Sequence, residues 1–170
     1  MIIRVGGRRS LQEQRMNKIY LALYKGSGGN LYDRLIDWLI RKITKGQYSH
    51  CEIAIQKSEI KDHYHREEWY ECYSSSPRDG GVRQNVIPLN DGKWDLIELP
   101  NLTEREVKAY FKQTKGKSYD WRGVLGIALG VKQKQDKYFC SEWCFNLIKH
   151  CNEGWRFSPN QLAAIFKKGE

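Results

Sequence analysis

The chain has no long apolar run. Its longest, such as Val124 to Val131, falls well short of the roughly 20 residues that span a bilayer, so no segment reads as transmembrane. The first 15 residues are basic but carry no apolar stretch of the secretory kind. Residues 1–16 read as a basic, loose extension, and 17–170 as a single domain that starts near Asn17-Lys18-Ile19-Tyr20. No Cys-x-x-Cys pair occurs among the five cysteines, 51, 72, 140, 144 and 151, and their number is odd. A disulfide framework is disfavoured, and a reducing, cytoplasmic setting is the simpler expectation. His63, His65 and Cys72 match no standard zinc spacing; that stretch reads as a solvated polar loop, and neither a metal nor a cofactor is expected. There is no internal repeat, helix-turn-helix, zinc finger or RNP pattern.

What the chain has in excess is positive charge, a formal +9. The denser patches run Arg4 to Lys18, Lys108 to Lys117 and Lys132 to Lys137, and Lys108, Lys112 and Lys115 form a stripe on one helix. An anionic partner such as nucleic acid, lipid or a teichoic-type polymer fits such a surface, but charge alone does not select one. A hydrophobic content of 40% over 170 residues is enough for one core.

The most informative stretch is Lys137-Tyr138-Phe139-Cys140-Ser141-Glu142-Trp143-Cys144-Phe145. Cys144, Leu147, Ile148 and Cys151 continue it at the i, i+3, i+4, i+7 spacing of a core-facing helix. Cys140 therefore opens a helix, where unpaired N–H groups and the macrodipole favour a thiolate. Upstream, Tyr48-Ser49-His50-Cys51-Glu52-Ile53-Ala54-Ile55 reads as a strand with His50, Glu52 and Ala54 on one face. A second strand, Glu68 to Tyr73, follows a polar insertion from Lys57 to Glu67. Thiol catalysis needs a sulfur nucleophile, an imidazole to take its proton and a polar group to orient the ring. Cys140 and His50 supply the first two. For the third, Glu71 on the second strand is favoured as a cross-strand neighbour, with Glu52 as its rival.

The order of His50, a polar residue on a following strand, and Cys140 at a helix start resembles the circularly permuted branch of the NlpC-type papain-like superfamily. That branch includes the YiiX-like and lecithin-retinol-acyltransferase-like proteins and many small phage proteins. Tyr48-Ser49-His50-Cys51-Glu52, Tyr70-Glu71-Cys72, Tyr119-Asp120-Trp121-Arg122-Gly123 and Phe139-Cys140-Ser141-Glu142 carry the resemblance, which spans about residues 18 to 166. It implies a papain-like fold and a cysteine peptidase, amidase or acyl hydrolase/transferase acting on a peptide, acyl or cell-wall-type substrate, in a cytoplasmic or phage-associated setting. Tyr48, beside the histidine, and Arg78, in the turn-rich Ser74 to Gly81 segment, are the candidate substrate-binding residues. Arg78 offers a planar fork for a carboxylate or phosphate. The competing class is a non-catalytic protein that docks a partner through the cleft or the basic surface.

Caps and periods give the expected architecture, an α+β domain with an antiparallel sheet packed against helices. Tyr32, Leu35, Ile36, Leu39, Ile40 and Ile43 mark an amphipathic helix ending near Gly46, with its apolar stripe toward the core and Arg34, Arg41 and Lys42 outward. A membrane-surface role for that helix is the less favoured reading. Strands are expected over about 48–56, 68–74, 82–87 and 94–99. Thr103 with Glu106 forms a capping box for a helix closed by Gly116, a short apolar helix follows over 120–128, and Ser158-Pro159-Asn160-Gln161 opens the last.

Overall fold

Two central strands set the architecture. In the computed structural model, which describes residues 17–61, 66–124 and 136–167, β1 (Ile19–Tyr24) and β2 (His50–Ile60) pair antiparallel, with Leu21 opposite Ile53 and Tyr24 opposite His50. Alternate residues of a strand point to opposite faces. Leu21, Leu23, Ile53 and Ile55 therefore bury on one side, and Ala22 and Ala54 on the other. β3 (Arg66–Ser76) and β4 (Gly81–Val86) continue from β2 as successive hairpins, while β5 (Trp94–Glu98) returns to the other edge of β1. Short β6 (Ser118–Tyr119) and β7 (Lys137–Tyr138) extend the far side. The described strands make one sheet of order β5-β1-β2-β3-β4-β6-β7, antiparallel throughout except where β6 meets β7.

Helices cover the more apolar face. α1 (Leu31–Thr44), α2 (Glu104–Thr114), helical residues 121–124 (α3), α4 (Cys140–Lys149) and α5 (Pro159–Phe166) follow in chain order. Val107 of α2, Trp143, Cys144 and Leu147 of α4, and Leu162 of α5 close the main core against the sheet. Trp143 is fully buried, and its indole N–H donates to Thr114 Oγ1 at 2.9 Å, so its one polar atom is satisfied. The expected Thr103–Glu106 capping box forms, and Ser158, expected to open the last helix, caps it in a second box with Gln161. The architecture is thus a mixed α+β domain with a largely antiparallel sheet. Among the described residues no helix is long and apolar enough to cross a membrane.

Three expectations change. The polar insertion after Lys57 does not interrupt the ribbon: Lys57 pairs with Trp69 and the ladder runs on to Ile60 opposite Arg66. Both strands are longer than their apolar patterns, because backbone pairing and polar cross-strand contacts, Gln56 with Glu68 and Arg66 with Ser58, carry the outer half. Ser74, Ser75 and Ser76 belong to β3 and are buried, leaving only residues 77–80 as the turn. In α1, Ile36, Asp37 and Ile40 are buried while Tyr32, Leu35 and Leu39 are exposed. The helix is rolled so that Asp33 and Asp37 meet Arg78, which carries half of the apolar stripe out to solvent. The extension 1–16, His63, His65 and the second half of the segment 120–128 lie outside the described residues.

The joint between β4 and β6 depends on a missing side chain. A Cβ on Gly81 would stand 2.1 Å from the Lys117 carbonyl oxygen, on a backbone already tied by Val82 N–H donating to that oxygen at 2.9 Å. Gly81→Ala is expected to destabilise the fold by more than about 1 kcal/mol. A urea-denaturation midpoint indistinguishable from that of the unsubstituted chain would refute this packing.

Candidate functional site

Phe139 ends an extended lead-in (φ −98°, ψ 168°) and Cys140 is the first residue of α4. Phe139 provides no side-chain cap, so the first-turn N–H groups are left to other acceptors. His50 begins β2 at the same end of the sheet and is 4% exposed; Cys140 is 3% exposed and Glu52 fully buried.

These groups form a row of alternating charge. Cys51 and His50 are the neighbours that act on the Cys140 thiol. Polar contact with Cys51 and the positive charge of His50 outweigh burial and hold the thiol well below its ordinary range. On the far side of the ring, His50 Nε2 lies 2.7 Å from Glu52 Oε1. Burial alone would depress the imidazole's pKa, but the Cys140 and Glu52 charges dominate and raise it to about 9. Glu52 in turn accepts two bonds from Arg83, Nη1 to Oε2 at 2.7 Å and Nη2 to Oε1 at 2.6 Å. Against its own burial, the Arg83 guanidinium and then His50 hold the Glu52 carboxyl down to about 2. Asp79 closes the row, accepting from Arg83 Nε at 2.8 Å.

The carboxylate beside the His50 ring is therefore Glu52 and not Glu71, the residue favoured from the sequence. Glu71 pairs with Ile55, five residues beyond His50 and so about 17 Å along the strand. It accepts from the Tyr73 hydroxyl at 3.1 Å and lies 3.9 Å from Lys108 Nζ of α2, on the helix-covered side. The reason is the length of the β2–β3 ribbon, which sets the register so that Glu71 falls far from the end where His50 sits. Glu52 shares a face with His50 and bends back to it.

The two proposed substrate contacts fare differently. Arg78 does line the same cleft as His50 and Glu52, a space of about 330 Å³ that also takes in Tyr24, Arg83 and Trp94. Its guanidinium is already committed, to Asp37 at 2.8 and 2.9 Å and to Asp33 at 3.2 Å, and it lies over the Tyr24 ring. It tethers the β3–β4 turn to α1 and has no free fork to offer a ligand. Tyr48 is buried on the core side, donates its hydroxyl to Asp95 Oδ2 at 2.6 Å, and borders a separate groove with Leu23, Leu96 and Phe166. It takes no part in the His50 cleft.

Sequence reasoning missed Arg83, Cys51 and Tyr119. Arg83 sits on β4 opposite Ser74 and reaches across β3 to Glu52, a contact that no local pattern announces. Cys51 was visible as the neighbour of His50, but its thiol points to the core side, where it meets Cys140 and Cys144. The Tyr119 hydroxyl is buried and has no hydrogen-bond partner among the described residues. Burial first, and then the charges of Cys140, Cys51 and Asp120, raise its pKa far above the usual phenol value. Among the described residues no group of three or more His, Cys, Asp or Glu side chains is arranged to hold a metal ion.

No family model, no curated protein and no solved structure matches this chain.

The row makes a signed prediction about pH. Glu52, lowered to about 2 from an ordinary 4.5, adds stability that is present above 4.5 and lost as pH falls toward 2. His50, raised to about 9 from 6.5, adds stability that is present below 6.5 and lost as pH rises through 9. Glu52→Gln is expected to cost about 3–5 kcal/mol by stranding buried Arg83 and His50, and to move the His50 titration down toward 6.5. Glu71→Gln should do neither. Imidazole NMR titration with parallel denaturation curves checks this, and an unmoved His50 in Glu52→Gln would remove Glu52 from its role.

Proposed function

We propose that the protein is a cysteine hydrolase or acyltransferase of the permuted NlpC-type papain-like kind, with Cys140 as nucleophile, His50 as general base and acid, and Glu52 as the residue that orients the ring. The observation that carries this reading is the buried row Cys140, His50, Glu52, Arg83, in which each ionisable group faces one of opposite sign. Such an arrangement stabilises a thiolate beside an imidazolium before any substrate arrives. The chain order His50, Glu52, Cys140 matches the permuted resemblance, with the difference that the third residue shares the strand of the histidine.

The chemistry follows from the pair. The Cys140 thiolate attacks the carbonyl carbon of an amide, ester or thioester and forms a tetrahedral oxyanion. The N–H groups in the first turn of α4, which the N-cap side chain leaves uncapped, that of Cys140 first among them, stabilise the oxyanion. The Tyr119 hydroxyl, buried and without a partner among the described residues, is a second donor for the same charge. His50 passes its proton to the leaving amine, alkoxide or thiolate as the carbonyl re-forms, which leaves a Cys140 acyl-enzyme. Neutral His50 then takes a proton from water or from an acceptor nucleophile, which attacks the acyl carbon and releases the thiolate. Glu52, held by Arg83, keeps the imidazole oriented and stabilises its positive charge in both steps.

The other thiols supply an internal control. Burial raises the Cys144 thiol, and burial with its neighbours raises Cys51 well above the ordinary range. With iodoacetamide near pH 6, Cys140 is expected to label at least about tenfold faster than Cys144, and His50→Ala to abolish that advantage. Turnover across a panel of p-nitrophenyl esters, thioesters and short peptides should disappear in Cys140→Ala and fall about a hundredfold or more in Tyr119→Phe. Equal labelling of Cys140 and Cys144, or unchanged reactivity in His50→Ala, sinks the dyad.

A further inference from the structure

The outward face of α1 is apolar where a surface helix is ordinarily polar. Leu31 is 83% exposed, Leu35 59% and Trp38 54%, and Tyr32 and Leu39 are exposed with them. At 100° per residue Leu31, Leu35, Trp38 and Leu39 fall on one arc, opposite the buried Ile36, Asp37 and Ile40. A contiguous apolar face of this kind marks an interaction surface.

The charges on α1 select what covers it. Arg34, Lys42 and Lys45 are exposed around the apolar arc, with Lys42 Nζ lying 5.9 Å over the Trp38 ring. Both acidic residues of the helix, Asp33 and Asp37, are turned away from that arc and paired with Arg78. The exposed face therefore joins long apolar side chains, a tryptophan and a tyrosine to positive charge alone. A water–lipid interface with anionic headgroups has the complementary composition: apolar side chains enter the acyl boundary, aromatics rest at headgroup depth, and lysine and arginine reach the phosphates. A protein partner would need an apolar surface ringed by acids, which is the narrower fit.

We infer that α1 is a docking helix that lies in the surface of an anionic bilayer. Its inner side carries the consequence for the catalytic reading. Ile36 and Ile40 pack with Val124 of α3 and with Tyr119 and Phe139, which precede α3 and α4. Asp37 accepts from Ser49 Oγ at 2.9 Å and from the Arg78 guanidinium in the His50 cleft. A bilayer held by the outer face of α1 therefore lies on the side of the helix opposite the residues that precede α4 and the mouth of the His50 cleft, and the acyl substrate class best placed to use the site is one presented at a membrane surface. Docking itself does not depend on the catalytic reading.

The test is co-sedimentation of the full chain with phosphatidylglycerol vesicles and with phosphatidylcholine vesicles, with tryptophan emission recorded in parallel. The expected result is binding to the anionic vesicles with a blue shift, weakening as salt is raised, and little binding to the zwitterionic ones. Leu35→Ser with Trp38→Ser, both exposed positions, should weaken binding about a hundredfold, and Lys42→Glu about tenfold, with circular dichroism and melting unchanged. Cys140→Ala should bind as the parent does, so loss of activity and loss of docking separate. Absence of binding to anionic vesicles, or binding that Leu35→Ser/Trp38→Ser leaves intact, overturns the inference. So does a dimer in light scattering that the same double variant dissolves, since a second copy would then own the face.

Discussion

The bidentate grip of Arg83 on Glu52 is the contact on which the site depends. A carboxylate with no exposed surface is stable only when its charge is answered on the spot, because the effective penalty for burying an unpaired ion is several kcal/mol. Arg83 answers it with two short bonds. That leaves Glu52 ionised and able to hold His50, which in turn favours the charged form of Cys140. Remove any member and its neighbour is left charged in a medium that screens poorly. Breaking the row is costly, yet fold stability does not require it, since apolar residues of similar volume in place of the whole row commonly serve a core as well or better. Its value is chemical: it fixes the ring nitrogen that faces the thiol.

The sheet makes this row possible through register. His50 and Glu52 share a face because a strand alternates with period two, and they stand at the end of β2 nearest the start of α4. From β4, Arg83 crosses the intervening β3. Thus two strands, β2 and β4, and one helix end bring together four side chains from three distant stretches of the sequence. Gly81 is part of the same construction: the close approach of the Lys117 carbonyl at its backbone lets β6 join β4 and so places Tyr119.

How legible all this was depends on whether the signal is local. The caps at Thr103 and Ser158, the helix opened by Cys140 and the strand carrying His50 were each written in a few adjacent residues, and each forms. Glu52 was legible as a rival on the right face, yet Glu71 looked better because a cross-strand neighbour is the usual partner. Deciding between them required the length of the β2–β3 ribbon, and its polar outer half carries no apolar pattern. Arg83 was hidden because an ion pair between strands two apart has no sequence period. The stripe on α1 was read correctly as a period and wrongly as a direction. Hydrophobicity alone points a helix inward, and only the Arg78 contacts to Asp33 and Asp37 reveal which way it is rolled.

That roll ties the surface of the molecule to its interior. An amphipathic helix normally minimises its free energy by burying its apolar stripe, and α1 exposes Leu31, Leu35 and Trp38 instead. On its inner side Arg78 satisfies two carboxylates, and Asp37 also takes the Gly28 N–H at 2.8 Å and the Ser49 hydroxyl. Breaking that polar cluster to turn the leucines inward would strand a buried aspartate, which costs more than burying one or two side chains returns. The cluster also joins the residue before His50 to the turn that bears Arg78, so the roll of α1 and the mouth of the cleft are set by the same bonds. A surface that engages the outer leucines therefore acts on a helix whose inner face is already locked to the site.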